Sequence, residues 1–186
     1  MEKPRTKPKQ GSILISEPSL RDFYFRQSVV LLAEHNDEGT FGVIINKPVE
    51  ARLKDILKGF TTSDIPVYLG GPVKTDSIFY IHTREDVAEC MPIMQGLYWG
   101  GDLDSIRDML KKKIILPGDI RFFLGYSGWS PNQLDRELKE KSWVLSQTTV
   151  QEVIHAHPET LWRNYLKNMG QDYAIWANFP ADPTFN

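Results

Sequence analysis

The chain has 186 residues, 41% hydrophobic and 25% charged, with a formal net charge of −2. That composition is ordinary for a globular protein and allows one domain whose core needs no covalent staple. The single cysteine, Cys90, excludes an internal disulfide, no Cys/His grouping suggests structural zinc, and the longest apolar run, VVLLA at 29–33, is too short to span a membrane.

Charge is uneven. Four of the 22 basic residues (Lys3, Arg5, Lys7, Lys9) but one of the 24 acids lie in residues 1–10, so this stretch is net +3 and the remainder net −5. A Pro-rich basic stretch is expected to be a disordered, solubilising leader. It has no apolar core like that of a signal peptide, so the chain is expected to be cytoplasmic. The acidic remainder argues against a broad nucleic-acid surface, which needs clustered Lys and Arg.

In chain order, GSILIS (11–16) predicts a strand ahead of Pro18. SVVLLAEHN (28–36) and TFGVIINK (40–47) are β-branched runs around NDEG, a hairpin signal with Gly39 available for positive φ. His35, at the hairpin end, is expected to be exposed or half-packed. In ARLKDILKGF, the spacing of Leu53, Ile56, Leu57 and Phe60 predicts a helix stopped by Gly59. PVYLGGPV (66–73) predicts a strand ending in Gly70-Gly71-Pro72. SIFYIHT (77–83) predicts a central strand, being partly apolar on both faces. Residues 84–101 give no clear pattern beyond GLYWGGD, which suggests a strand and a turn.

DLDSIRDMLKKK (102–113) predicts a helix capped by Asp102, with Leu103, Ile106 and Leu110 inside. DIRFFLG (119–125) predicts a strand and SWVLSQT (142–148) another. Thr149 and Glu152 stand at capping-box spacing before a short helix. PETLWRNYLKNMG predicts a helix with Pro158 in its first turn, Leu161, Trp162, Tyr165, Leu166 and Met169 inward, and Gly170 at its close. Three units are expected: a leader at 1–10, a domain at 11–170 and a packed extension at 171–186. The class is α+β: a mixed, largely antiparallel sheet flanked by helices in a three-layer arrangement.

GYSGWSPNQLDREL (125–138) carries the sharpest chemical question. A nucleophile elbow needs G-x-S-x-G, and here Trp129 takes the second glycine's place, which crowds the turn around Ser127. The structural alternative is a strand, a turn and a helix with Ser130 at the N-cap, Pro131 at its first position and Gln133 completing a capping box. Such a turn can receive an anion, and Tyr126 and Trp129 can wall a pocket. LGGPV lacks both P-loop and dinucleotide spacing, so Gly70 and Gly71 are expected to permit a bulge or a close backbone approach. Asn46, in INKP, is expected to satisfy nearby backbone groups. His155 and His157 diverge on a helix and have no third ligand, so no metal or cofactor is expected. Glu137 and Glu140 are expected to be solvated, although a Glu137 buried beside Gln133 would be open to a proton-transfer role.

Taken together, GSILISEP, SVVLLAEHNDEGTFGVIINKP, YLGGPV, LGYSGWSPNQLDREL, Ser142-Trp143, Trp162 and Met169-Gly170 resemble the AlgH/YqgE family of small bacterial proteins, over residues 11–170. The resemblance implies a compact domain with a bulged, twisted sheet and no established reaction. One branch is associated with regulation of alginate synthesis, which implies a transcriptional regulator; this chain offers no helix-turn-helix with a basic recognition helix. In the family pattern the place of Ser127 is commonly alanine, which a nucleophile cannot be.

The leading expectation is a ligand- or partner-binding regulatory domain whose surface is lined by Asn46, Gly70, Gly71, Tyr126, Trp129 and Gln133. Its partner would be a protein or a small molecule, without membrane or direct nucleic-acid contact, and the oligomeric state is open. An alternative is a small enzyme for a phosphorylated or acyl metabolite, its anion at the helix N-terminus near Pro131 and Glu137 or His82 as acid/base.

Overall fold

The computed structural model describes residues 7–60, 64–155 and 157–179. Among the described residues, ten strands and six α-helices alternate irregularly: β1 (Ile13–Ser16), β2 (Val29–Asn36), β3 (Gly39–Ile44), β4 (Pro48–Arg52), α1 (Leu53–Ile56), β5 (Pro66–Leu69), β6 (Val73–His82), β7 (Met91–Met94), β8 (Leu97–Trp99), α2 (Leu103–Lys111), β9 (Ile120–Trp129), α3 (Gln133–Lys139), β10 (Trp143–Ser146), α4 (Val150–His155), α5 (Pro158–Asn168) and α6 (Gln171–Ala174).

The main sheet runs β10-β1-β2-β3-β9-β6-β8-β7, all neighbours antiparallel, with β4 and β5 branching from it. β5 pairs parallel with the first half of β9 (Val67↔Phe122, Leu69↔Leu124). The second half of β9 pairs with β3 instead (Gly42↔Ser127, Thr40↔Trp129). The strand therefore changes neighbour at Gly125, whose φ of +68° bends it there. The sheet is bulged and mixed, as its sequence pattern and resemblance imply.

Helices cover both faces. α4, α5 and the turn at Ala177 bury Val153, Leu161, Trp162 and Leu166 against Ile13, Leu31, Val43 and Phe123. α2 lays Ile106 and Leu110 on Val67, Tyr80 and Phe122. α3 places Leu134 over Leu14, Val30 and Ile44, between Trp129 and Trp143. β1, β2 and the end of β3 have helices or loops on both sides, which is why they read as unbroken apolar runs. The sheet also curls until Gln10 Nε2 reaches the carbonyls of both Ala33 and Pro92, at 2.9 and 2.7 Å.

Local chemistry explains the elements that sequence foresaw. Asp102 accepts from the Ser105 amide at 3.0 Å, and Thr149 and Glu152 exchange capping hydrogen bonds at 3.0 and 3.2 Å. Two expectations need correction, the helix at 53–60 and the cap at Ser130. The helix expected over 53–60 is a single turn, Leu53–Ile56, because the chain before it is drawn into β4 by pairing with β5 and Leu57 is already extended. The stretch 84–101 holds the β7–β8 hairpin, turning at Gly96 with φ +81°, and the strand suggested by GLYWGGD is β8. Ser130 is not an N-cap: α3 begins at Gln133 behind a left-handed Asn132, so Pro131 lies outside the helix. Of the expected leader, residues 1–6 lie outside the described residues, while Lys9 and Gln10 already bond to Ser12, Ala33 and Pro92.

Candidate functional site

The glycines mark a three-strand junction. Gly70, just past β5, donates to Leu124 O at 2.8 Å and accepts from the Ile44 amide at 2.9 Å, so it joins β9 and β3 at once. Ser127 is fully buried and donates its hydroxyl to the same Gly70 carbonyl at 3.0 Å. A Cβ on Gly70 would sit 2.1 Å from Gly125 O, and one on Gly71 2.4 Å from Tyr126 O. Close backbone approach is the reason for this glycine pair, as expected. The elbow is not formed: residues 125–129 are extended strand, and Ser127 holds the junction together.

Eight residues beyond the end of β9, Glu137 organises a second network. One carboxylate oxygen accepts from Trp129 Nε1 and Trp143 Nε1, each at 2.8 Å, and the other from Gln133 Nε2 at 2.9 Å. Gln133 Oε1 in turn accepts from the Ser130 amide. Phe25 packs on both indoles, with centroids 6.3 and 5.4 Å away. Glu137 was expected to be solvated. It is half-buried and is the shared acceptor of two buried tryptophans, because α3 lies across the ends of β9 and β10. Trp129 and Gln133 are thus occupied internally. Tyr126 belongs to an aromatic group with Phe41, Phe79 and Trp99 that closes the curled sheet beneath β9.

The acid/base assignments do not combine. His82 is fully buried: its Nε2–H donates to Gly100 O at 2.8 Å and its Nδ1 accepts from the Arg84 amide at 3.2 Å. Burial holds its pKa below the ordinary 6.5, so the ring is neutral with both nitrogens in use. His82 pairs with Ile120 and Glu137 bonds Trp129, at opposite ends of β9. The anion site near Pro131 also lacks the helix start it required. Among the described residues, no three His, Cys, Asp or Glu side chains gather as metal ligands would.

Asn46 satisfies backbone as expected: its Oδ1 accepts from Val29 N and its Nδ2 donates to Gln27 O, at 2.8 and 2.9 Å. It also lines a cleft of about 480 Å³ between the β3–β4 corner and α5. Phe23, 67% exposed, stands at this cleft with Arg26, Lys47, Trp162 and Arg163. Lys47 Nζ donates to the carbonyls of Phe23 and Tyr24. Burial, then the charge of Arg26, bring its pKa down to about 8, against the opposing pull of Asp22. Beneath, the buried Arg121 donates to Ile45 O at 2.8 Å and Ile154 O at 3.1 Å and lies 4.6 Å over the Tyr68 ring. It ties β9 to the segment bearing Asn46 and to the end of α4. Sequence reading missed these cations, whose one signal was a lone arginine inside the apolar run DIRFFLG.

The geometry is that of an α+β domain with a glycine strand junction and a helix bracketed by two tryptophans. The model of the AlgH-like family, DUF179, matches residues 13–174, and the chain belongs to that family. A UPF0301 protein of Bacteroides thetaiotaomicron is 46% identical over 185 residues, covering 96% of this chain and 92% of that one. A UPF0301 protein of Cytophaga hutchinsonii is 41% identical, covering 95% and 98%. Two solved structures share the fold: protein DIP2367 of Corynebacterium diphtheriae (TM-score 0.79, 22% identity, 94% of each chain) and the AlgH protein of Pseudomonas aeruginosa (TM-score 0.72, 24% identity, 93% and 96%). No helix among the described residues is long and apolar enough to cross a membrane.

Proposed function

We propose that this chain is a cytoplasmic, non-catalytic binding domain whose partner docks in the cleft beside Asn46. The observation that carries this is an exposed Phe23 set among Arg26, Lys47 and Arg163, with Glu159 the one acid among the described residues of the lining. A solvent-exposed aromatic framed by cations suits a peptide segment that presents apolar and acidic side chains together. Lys47 strengthens the reading: a partner carboxylate would relieve its repulsion from Arg26 and repay part of its desolvation. Of the six residues expected to form the surface, Asn46 contributes directly. Gly70 holds the neighbouring Ile44 amide, and Gly71, Tyr126, Trp129 and Gln133 lie outside its lining. A regulatory role would then be exercised through a protein partner.

The test is a photocrosslinking side chain placed in cells at Phe23, with the exposed Ile114 as the control position. Defined adducts at position 23 that are absent at 114 and disappear in Arg163→Glu are expected. Identical adduct patterns at the two positions would end the proposal.

A further inference from the structure

A second concavity, about 610 Å³, lies where the N-terminal segment, the β2–β3 hairpin and α3 meet, and Lys7, His35, Asn132, Asp135, Arg136 and Lys139 line it. Positions 132, 135, 136 and 139 fall at i, i+3, i+4 and i+7, so one stripe of α3 faces the cleft while Leu134 and Leu138 turn toward the core. The lining holds three cations and one carboxylate on a molecule of net charge −2. Asp37 and Glu38, in the neighbouring hairpin turn, are not part of it.

These cations are uncommitted. Lys7, Arg136 and Lys139 form no ion pair or side-chain hydrogen bond with any described residue, whereas Arg107 on α2 has Asp104 at 2.7 Å. Asn132 stands at the N-cap position in a left-handed conformation, φ +63°, and its amide caps nothing. His35 Nδ1 lies 2.6 Å from Thr40 Oγ1; with that hydroxyl donating, Nε2–H is the ring's remaining donor. Two ammonium groups, a guanidinium, an imidazole N–H and a carboxamide therefore converge from three chain segments. Nearly every group is a donor, which complements the oxygens of phosphate. Like charges held together in one concavity repel unless an anion joins them. The volume matches a small ligand. A nucleic acid would need a longer basic track than these three side chains supply.

The geometry points to this cleft as a binding site for a small phosphate-bearing anion carrying two or more negative charges. It is independent of the Phe23 cleft, and its charge comes from side chains rather than from a helix terminus. The test is titration of the ¹⁵N-labelled protein with sodium pyrophosphate at constant ionic strength. Saturable shifts are expected at the backbone amides of Asn132 and Arg136 and in the His35 ring. Arg136 and Lys139 are exposed, so Arg136→Gln and Lys139→Gln retain the fold, and each weakens binding about tenfold. Phe23→Ala, in the other cleft, leaves it unchanged. The inference is overturned if the shifts do not saturate, if sodium chloride reproduces them, or if the Arg136→Gln/Lys139→Gln double variant binds like the parent. It is equally overturned if a single-stranded oligonucleotide binds more tightly than pyrophosphate, with a salt dependence spanning many phosphates.

Discussion

Replacing Glu137 by alanine probes the network that holds α3 to the sheet. The carboxylate is the acceptor for two indole N–H groups whose side chains are 6% and 4% exposed, Trp129 and Trp143. Removing it leaves both donors buried without a partner, at about 1–3 kcal/mol each, or about 2–6 kcal/mol together. For a chain of this size, ~2–4 °C per kcal/mol converts this to a melting point lower by about 5–20 °C. Glu137→Gln should cost less, about 1–2 kcal/mol. Its carbonyl can accept from the indoles, but its NH₂ then faces the Gln133 NH₂, and Gln133 cannot turn its amide without losing the Ser130 bond. The assay is urea unfolding of the parent, Glu137→Ala, Trp129→Phe and the double variant. Phenylalanine has no N–H to strand, so the second change should cost less in the presence of the first, with a coupling of about 1–3 kcal/mol. A loss below about 1 kcal/mol for Glu137→Ala, or a coupling within ~0.5 kcal/mol of zero, would refute the reasoning.

Gly70→Ala forces a methyl to within 2.1 Å of Gly125 O, a backbone atom that cannot rotate away, so we expect a loss of more than about 3 kcal/mol, read by thermal unfolding. On the alkaline side, Lys47 has a folded pKa of about 8 against 10.5 ordinarily, so the unfolded chain holds the extra proton between those values. Stability should therefore rise from pH 8 toward 10, by about 1–2 kcal/mol once solvent screening is allowed for, and Lys47→Met should lack that rise. Above pH 10 the sign reverses. Tyr80 and Tyr165, both pushed up to about 12 chiefly by burial, keep their protons in the fold, and the stability they contribute is lost as pH climbs through that range. On the acid side, the lowered pKa of His82 means that the unfolded chain takes up a proton first, so stability should fall as pH drops below 6.5. His82→Asn should flatten that limb in a pH series of denaturation midpoints.

What the chain determines by itself is what neighbours in sequence can settle. The β2–β3 hairpin follows from two β-branched runs about a turn that ends in Gly39. The capped start of α2 needs only Asp102 and Ser105, that of α4 only Thr149 and Glu152, and the apolar stripe of α5 repeats at helical spacing. Each interaction spans a few residues, so its signature survives in the linear order. The family resemblance was legible because its motifs are short contiguous stretches, among them the glycine pair of the strand junction and Trp162 of α5.

Tertiary structure decided the rest, because those contacts join residues that carry no mutual sequence signal. β4 exists because β5 is there to pair with it, and that pairing shortened the helix expected after it. GYSGW reads locally as a turn but runs on as strand, since β3 and Gly70 supply its hydrogen bonds. Glu137 looks like any exposed helical acid until β9 and β10 bring two indole N–H groups to one oxygen. The two clefts have the same origin: Phe23 meets Arg163, and Lys7 meets Arg136, only after the sheet has curled and the helices have closed over it. Proximity created by long-range packing changes what a charge or an aromatic ring can do, and residue order alone does not encode that proximity.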